Sequence, residues 1–88
     1  MKIKDGFVKR EIMGETVVVP TGEAGKAVHG VIKLNATARV IWDAFEQGKT
    51  QEEAADALVS AFDVDREKAL QDVEKIVKQM VDANVFEQ

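Results

Sequence analysis

Within residues 30–45 the apolar pattern changes from that of a strand to that of a helix. Residues 30–34 alternate, with Ile32 and Leu34 on one face and Val31 and Lys33 on the other. Asn35 stops the alternation, because its side-chain oxygen can accept from the free N–H groups of a starting helix. From Ala38 onward the apolar positions fall at 38, 41, 42 and 45, which is one helical face. The residues before this junction read as β and those after it read as α. The expected fold is α+β: a three-stranded antiparallel sheet followed by three α-helices.

Before the junction, residues 7–13 and 15–20 are rich in strand formers and flank Gly14. Gly14 followed by Glu15 fits a two-residue type II′ turn, whose first central position needs φ > 0. Pro20 lacks an N–H for the ladder and marks the end of the second strand. Residues 21–29 form a connection longer than an ordinary hairpin loop, and a third strand comes next, at about 30–34. After the junction, helices are expected at about 36–47, 51–62 and 66–83. Gly48 fits a C-terminal left-handed stop for the first. Thr50 and Glu53 form a capping box for the second, with Ala54, Ala57, Leu58, Ala61 and Phe62 on one face. Asp65 caps the third. Its stripe runs through Ala69, Leu70, Val73, Ile76, Val77, Met80 and Val81. Asn84 fits a helix stop, after which Val85 and Phe86 are expected to fold back onto the core.

An 88-residue chain fits one domain, with roughly 60–65% of its extended surface buried on folding. It has no apolar run long enough to span a bilayer and no signal-peptide core after Met1, so a cytosolic, membrane-free protein is expected. The absence of cysteine excludes disulfides and thiolate metal sites within the chain. Charge is unevenly placed. Residues 1–49 carry eight Lys/Arg against six Asp/Glu, a balance of +2, and residues 50–88 carry four against ten, a balance of −6. A chain that neutralises phosphates needs a cationic face, so the helical half has the wrong sign for nucleic acid.

Catalysis finds no constellation to rest on. His29 is the only histidine and has no cysteine beside it, so neither a metal nor any other cofactor is expected. Ser60 is the only serine and stands on a helix without a nearby base. Residues 22–27 resemble a phosphate loop only superficially: the glycines are too close and alanine stands where the hydroxyl should be. Glu52, Glu53 and Asp56 read as a solvated capping face, and Trp42 and Phe45 as core. A binding surface is easier to find. A three-stranded sheet has two unpaired edges, and an extended peptide can add to one of them as a further strand. Lys33 discourages indiscriminate pairing at that edge.

The order Gly30-Val-Ile-Lys-Leu-Asn-x-Thr-Ala38, Ile41-Trp42, Gly48-x-Thr-x-Glu-Glu53 and Asp72-Val73 resembles the PqqD-like proteins, over about residues 6–87. These are the peptide-recognition domains of ribosomal peptide natural-product maturation. The resemblance implies a winged-helix-like fold without catalytic activity. It implies binding of the leader region of a precursor peptide and presentation to a modifying enzyme, often a radical-SAM protein. Carried over by position, the peptide would lie beside Val31, Ile32, Lys33 and Leu34 of the strand. Leu70, Asp72, Val73, Ile76 and Val77 are the helix candidates. Residues 14–22 depart from the quinone-cofactor members, which points toward another substrate, such as a lasso or other radical-SAM-modified peptide. The −6 balance also departs from a basic clamp for an acidic leader. Two other readings stand beside this one: a winged-helix DNA-binding module, whose third helix would here be slightly acidic, and a homodimer formed through the same open edge.

Overall fold

A computed structural model of the chain describes residues 2–22 and 32–87. Among the described residues three strands, β1 (Phe7–Ile12), β2 (Glu15–Pro20) and β3 (Ile32–Leu34), precede three helices, α1 (Ala36–Glu46), α2 (Gln51–Ala61) and α3 (Arg66–Asp82). This is the α+β order read from the sequence. Residues 23–31 lie outside the described residues, and with them most of the expected connection, His29, and Gly30 and Val31 of the expected third strand.

Both pairings in the sheet are antiparallel, in the order β1-β2-β3. Pleating puts Val18, Ile32 and Leu34 on the face toward the helices. Val18 is fully buried there, and Leu34 nearly so. Phe7, on the same face of β1, meets Trp42 of α1 edge to face, with ring centroids 5.7 Å apart. Two ion pairs fasten β1 to α1: Lys9 with Asp43, and Arg39 with Glu11 at 3.2 Å.

The hairpin turn differs from the expected one. Ile12 pairs with Glu15, so Met13 and Gly14 are the central residues, with φ of 53° and 82°. Two positive φ values make this a type I′ turn rather than type II′. The strand ends at Ile12, and Met13 takes a conformation that its side chain disfavours. Cross-strand pairing over six residues sets the register and overrides the preference of the turn residues.

The helix starts reflect local chemistry. Asn35 Oδ1 accepts from the Ala38 N–H at 2.8 Å, and Asp65 Oδ1 accepts from the Lys68 N–H at 2.8 Å. Thr50 and Glu53 form the reciprocal box, at 3.0 and 3.1 Å. The bond from the Thr50 backbone N–H holds the Glu53 carboxyl below its ordinary pKa. Gly48 comes after α1 with φ 78°, and Asn84 after α3 with φ 61°. On α2 the buried residues are Ala54, Ala55 and Leu58, whereas the expected Ala61 is exposed. Two fully buried alanines let α2 lie close to its neighbours. Beyond Asn84 the chain turns back as expected. Val85 and Phe86 are buried, Phe86 bridges Ile3, and its ring meets Phe45 at 5.5 Å. Trp42 and Phe45 are fully buried core residues. No helix among the described residues is long and apolar enough to cross a membrane.

Candidate functional site

The two-residue turn determines which backbone groups of the sheet remain free. A β-turn closed between Ile12 and Glu15 makes that pair a hydrogen-bonded one. Bonded and non-bonded pairs alternate along an antiparallel ladder, so Arg10 and Val17 form a bonded pair as well. Val17 then spends its N–H and C=O on β1. Its other neighbour, Lys33, stands opposite it on β3 without those bonds. Ile32 and Leu34 bond Val18 and Thr16, and Lys33 turns its N–H and C=O away from β2, to the edge of β3 that is open among the described residues.

That edge opens on a groove of about 410 Å³ between β3 and α3. Ile32, Lys33 and Leu34 form the strand wall, and Ala38 of α1 reaches its base. On the helix wall stand Lys68, Asp72, Lys75, Ile76, Gln79 and Met80. Most of these positions recur at three- and four-residue steps and so belong to one flank of α3. The floor is apolar, supplied by half-buried Ile32 and Ile76 and by nearly buried Leu34, Ala38 and Met80. The rim is polar. Lys68 Nζ donates to Asp72 Oδ1 at 2.7 Å. On the other face of the sheet Lys33 stands 3.9 Å from Glu15, both largely exposed.

Of the residues expected at a binding site, Ile32, Lys33, Leu34, Asp72 and Ile76 meet at this groove. Val73, Leu70 and Val77 do not line it. Val73 is fully buried within the core, and Leu70 and Val77 pack against the core from the opposite flank of the stripe. Val31 is outside the described residues. Sequence reasoning missed Lys68, Lys75, Gln79 and Met80. The available signal was the row of positions at 68, 72, 75 and 79, just beside the apolar stripe. Of the carboxylates on the capping face of α2, Glu53 closes the capping box and Asp56 pairs with Arg66.

Comparison with solved structures gives two matches over almost the whole chain. One is "TbiB1 in Complex with the TbiA(beta) Leader Peptide", with 28% identity and a TM-score of 0.77, covering 99% of this chain and 95% of that one. The other is "Lasso peptide synthetase B1 complexed with the leader peptide". At 17% identity and a TM-score of 0.75, covering 99% of this chain and 96% of that one, it establishes likeness of fold. No curated protein matches the sequence significantly. The family model described as Coenzyme PQQ synthesis protein D (PqqD) matches residues 15–85, and the chain belongs to that family.

Proposed function

We propose that this chain binds the leader segment of a ribosomally synthesised precursor peptide and presents it to a modifying enzyme, without catalysing a reaction itself. The observation that carries the reading is the open edge at Lys33 beside an apolar-floored groove. An extended segment pairing with β3 would exchange main-chain bonds with Lys33. It would lower alternate side chains toward Ile32, Leu34, Ile76 and Met80. The solved neighbour at 28% identity is a complex with a leader peptide, which supports the same reading. A short strand with two or three apolar anchors reaches micromolar to sub-micromolar affinity, roughly 8–9 kcal/mol. Such affinity suits an adaptor that must release its cargo. The partner enzyme in this reading is a peptide maturase of the radical-SAM class that the resemblance implies, and both work in the cytosol.

Isothermal titration tests the proposal, with leader peptides from short reading frames flanking the gene and with the TbiA(beta) leader as a further probe. The informative pair of variants sits on two flanks of α3. Ile76→Asp puts a charge into the groove, whereas Val81→Asp charges a residue that is 55% exposed and lies outside the groove lining. With both variants folded by circular dichroism, Ile76→Asp should weaken binding at least about thirtyfold, the scale of one buried aliphatic side chain. Val81→Asp should leave it unchanged. Equal effects from both, or none from either, would contradict the groove as the site.

A further inference from the structure

The charge of the groove runs against that of the chain. The protein carries −4 overall and residues 50–88 carry −6, yet the charged residues on the helix wall of the groove are Lys68, Lys75 and Asp72, a balance of +1. These cations are not equally committed. Lys68 is held by Asp72 across one helical turn at 2.7 Å. The Lys33 side chain leaves β3 on the other face of the sheet, where Glu15 stands 3.9 Å away. Lys75 lines the groove one turn beyond Asp72 and has no hydrogen-bond or ion-pair partner among the described residues. Its neighbours along that flank are Asp72, already engaged by Lys68, and the neutral Gln79. An uncommitted ammonium beside an apolar floor, in a chain of net negative charge, marks the place where an anionic guest gains and a cationic one is repelled.

We propose that Lys75 is a specificity-determining residue that selects an acidic guest strand: an extended peptide with apolar side chains at alternate positions and a carboxylate beside Lys75. The inference rests on the reading of the groove as a leader site. In that geometry one edge of the guest strand pairs with β3 and the other faces α3. A guest Glu or Asp side chain on that second edge is within the sweep of a lysine on the groove flank. The ammonium contributes as a charge at a partly screened rim, so it discriminates between peptides more than it adds affinity. Floor contacts set how tightly a strand is held, and Lys75 sets which strand is held.

The experiment titrates the full chain with each flanking leader peptide in two forms. One is native, and the other has every Asp and Glu replaced by Asn and Gln. The protein is used as wild type, Lys75→Gln and Lys75→Glu. Lys75→Gln removes the charge and keeps a hydrogen-bond donor on a somewhat shorter side chain. The native leader should bind wild type best, Lys75→Gln about threefold more weakly and Lys75→Glu about tenfold more weakly. The amidated leader should be insensitive to Lys75→Gln. Raising salt should narrow the gap between native and amidated forms on wild type and leave Lys75→Gln unaffected. Equal binding of the two forms by wild type, or a bound leader with no carboxylate, overturns the inference while the groove reading stands. An Ile76→Asp variant that binds as wild type overturns the groove reading itself, so the two failures are told apart.

Discussion

The sheet has two edges, and they are built in opposite ways. At the β1 edge the alternation that frees Lys33 on β3 turns the N–H and C=O groups of Lys9 and Glu11 outward. Both side chains are tied to α1, Lys9 by Asp43 and Glu11 by Arg39, so an incoming strand would meet a row of ion-paired charges. At the β3 edge the outward groups belong to Lys33, whose side chain is 74% exposed and only loosely paired, and the space beyond it is the apolar-floored groove. Charges guard one edge and a cavity opens the other. Edge strands left without protection invite indiscriminate pairing. A short β3 with one lysine at its centre limits that risk while leaving room for a chosen guest.

Arg10 and Lys33 flank the same residue, Val17, from opposite sides, so proline at each position is the sharpest way to break the comparison. Arg10→Pro removes a ladder bond between β1 and β2. It should cost about 1–3 kcal/mol in urea unfolding while the folded fraction binds peptide as before. Lys33→Pro removes an N–H that β2 does not use. It should weaken peptide binding at least about tenfold, with a smaller loss of stability. If the two variants exchange these effects, the assignment of free groups is wrong. The guard itself can be removed next. Lys9→Val with Glu11→Val gives up two surface ion pairs, each worth up to about 1 kcal/mol. The exposed β1 edge should then self-associate, seen as a concentration-dependent mass by light scattering. Wild type should not do so through β1.

A smaller and opposite effect is expected at the turn that sets the register. Met13 is almost fully exposed and holds a positive φ. Asparagine tolerates that conformation, and Asn-Gly is the preferred type I′ pair. Met13→Asn should therefore raise stability by roughly 0.5–1 kcal/mol and leave peptide affinity unchanged. The smallest effect lies away from both edges. The folded-state pKa of Glu53 is lowered by the Thr50 backbone N–H. The stabilisation it brings is complete above the ordinary carboxylate value and is lost as pH falls through the folded one. Glu53→Gln can keep the reciprocal bond but cannot titrate. Its melting temperature should drop less than that of wild type between pH 7 and pH 3, without any change at the groove.

What the sequence made legible was local. Asn35, the Thr50–Glu53 pair and Asp65 cap helices within four residues of themselves, so their roles need no tertiary information. The strand-to-helix switch and the return of Val85 and Phe86 were readable for the same reason. What depended on distant partners was harder. Met13 bears a positive φ because pairing along β1 and β2 sets the turn, and nothing in Met13 itself signals it. Leu70 and Val77 share an apolar stripe with Ile76, and periodicity alone cannot say which flank meets β3 and which meets the core. Net charge was too coarse in a third way. The −6 of residues 50–88 says nothing of where each charge stands, and Lys68 and Lys75 fall on the groove flank while Glu67 and Glu74 lie off it.

The most direct test of the open edge is a two-dimensional amide NMR titration of labelled protein with leader peptides from the flanking reading frames. Shifts centred on Lys33, with companions at Lys68, Asp72, Lys75, Ile76 and Gln79, are the expected result. Slowed exchange of the Lys33 amide on binding would add the hydrogen bond itself. Shifts centred on Lys9 and Glu11 of β1, or a bound peptide that leaves the Lys33 amide unmoved, would contradict the account.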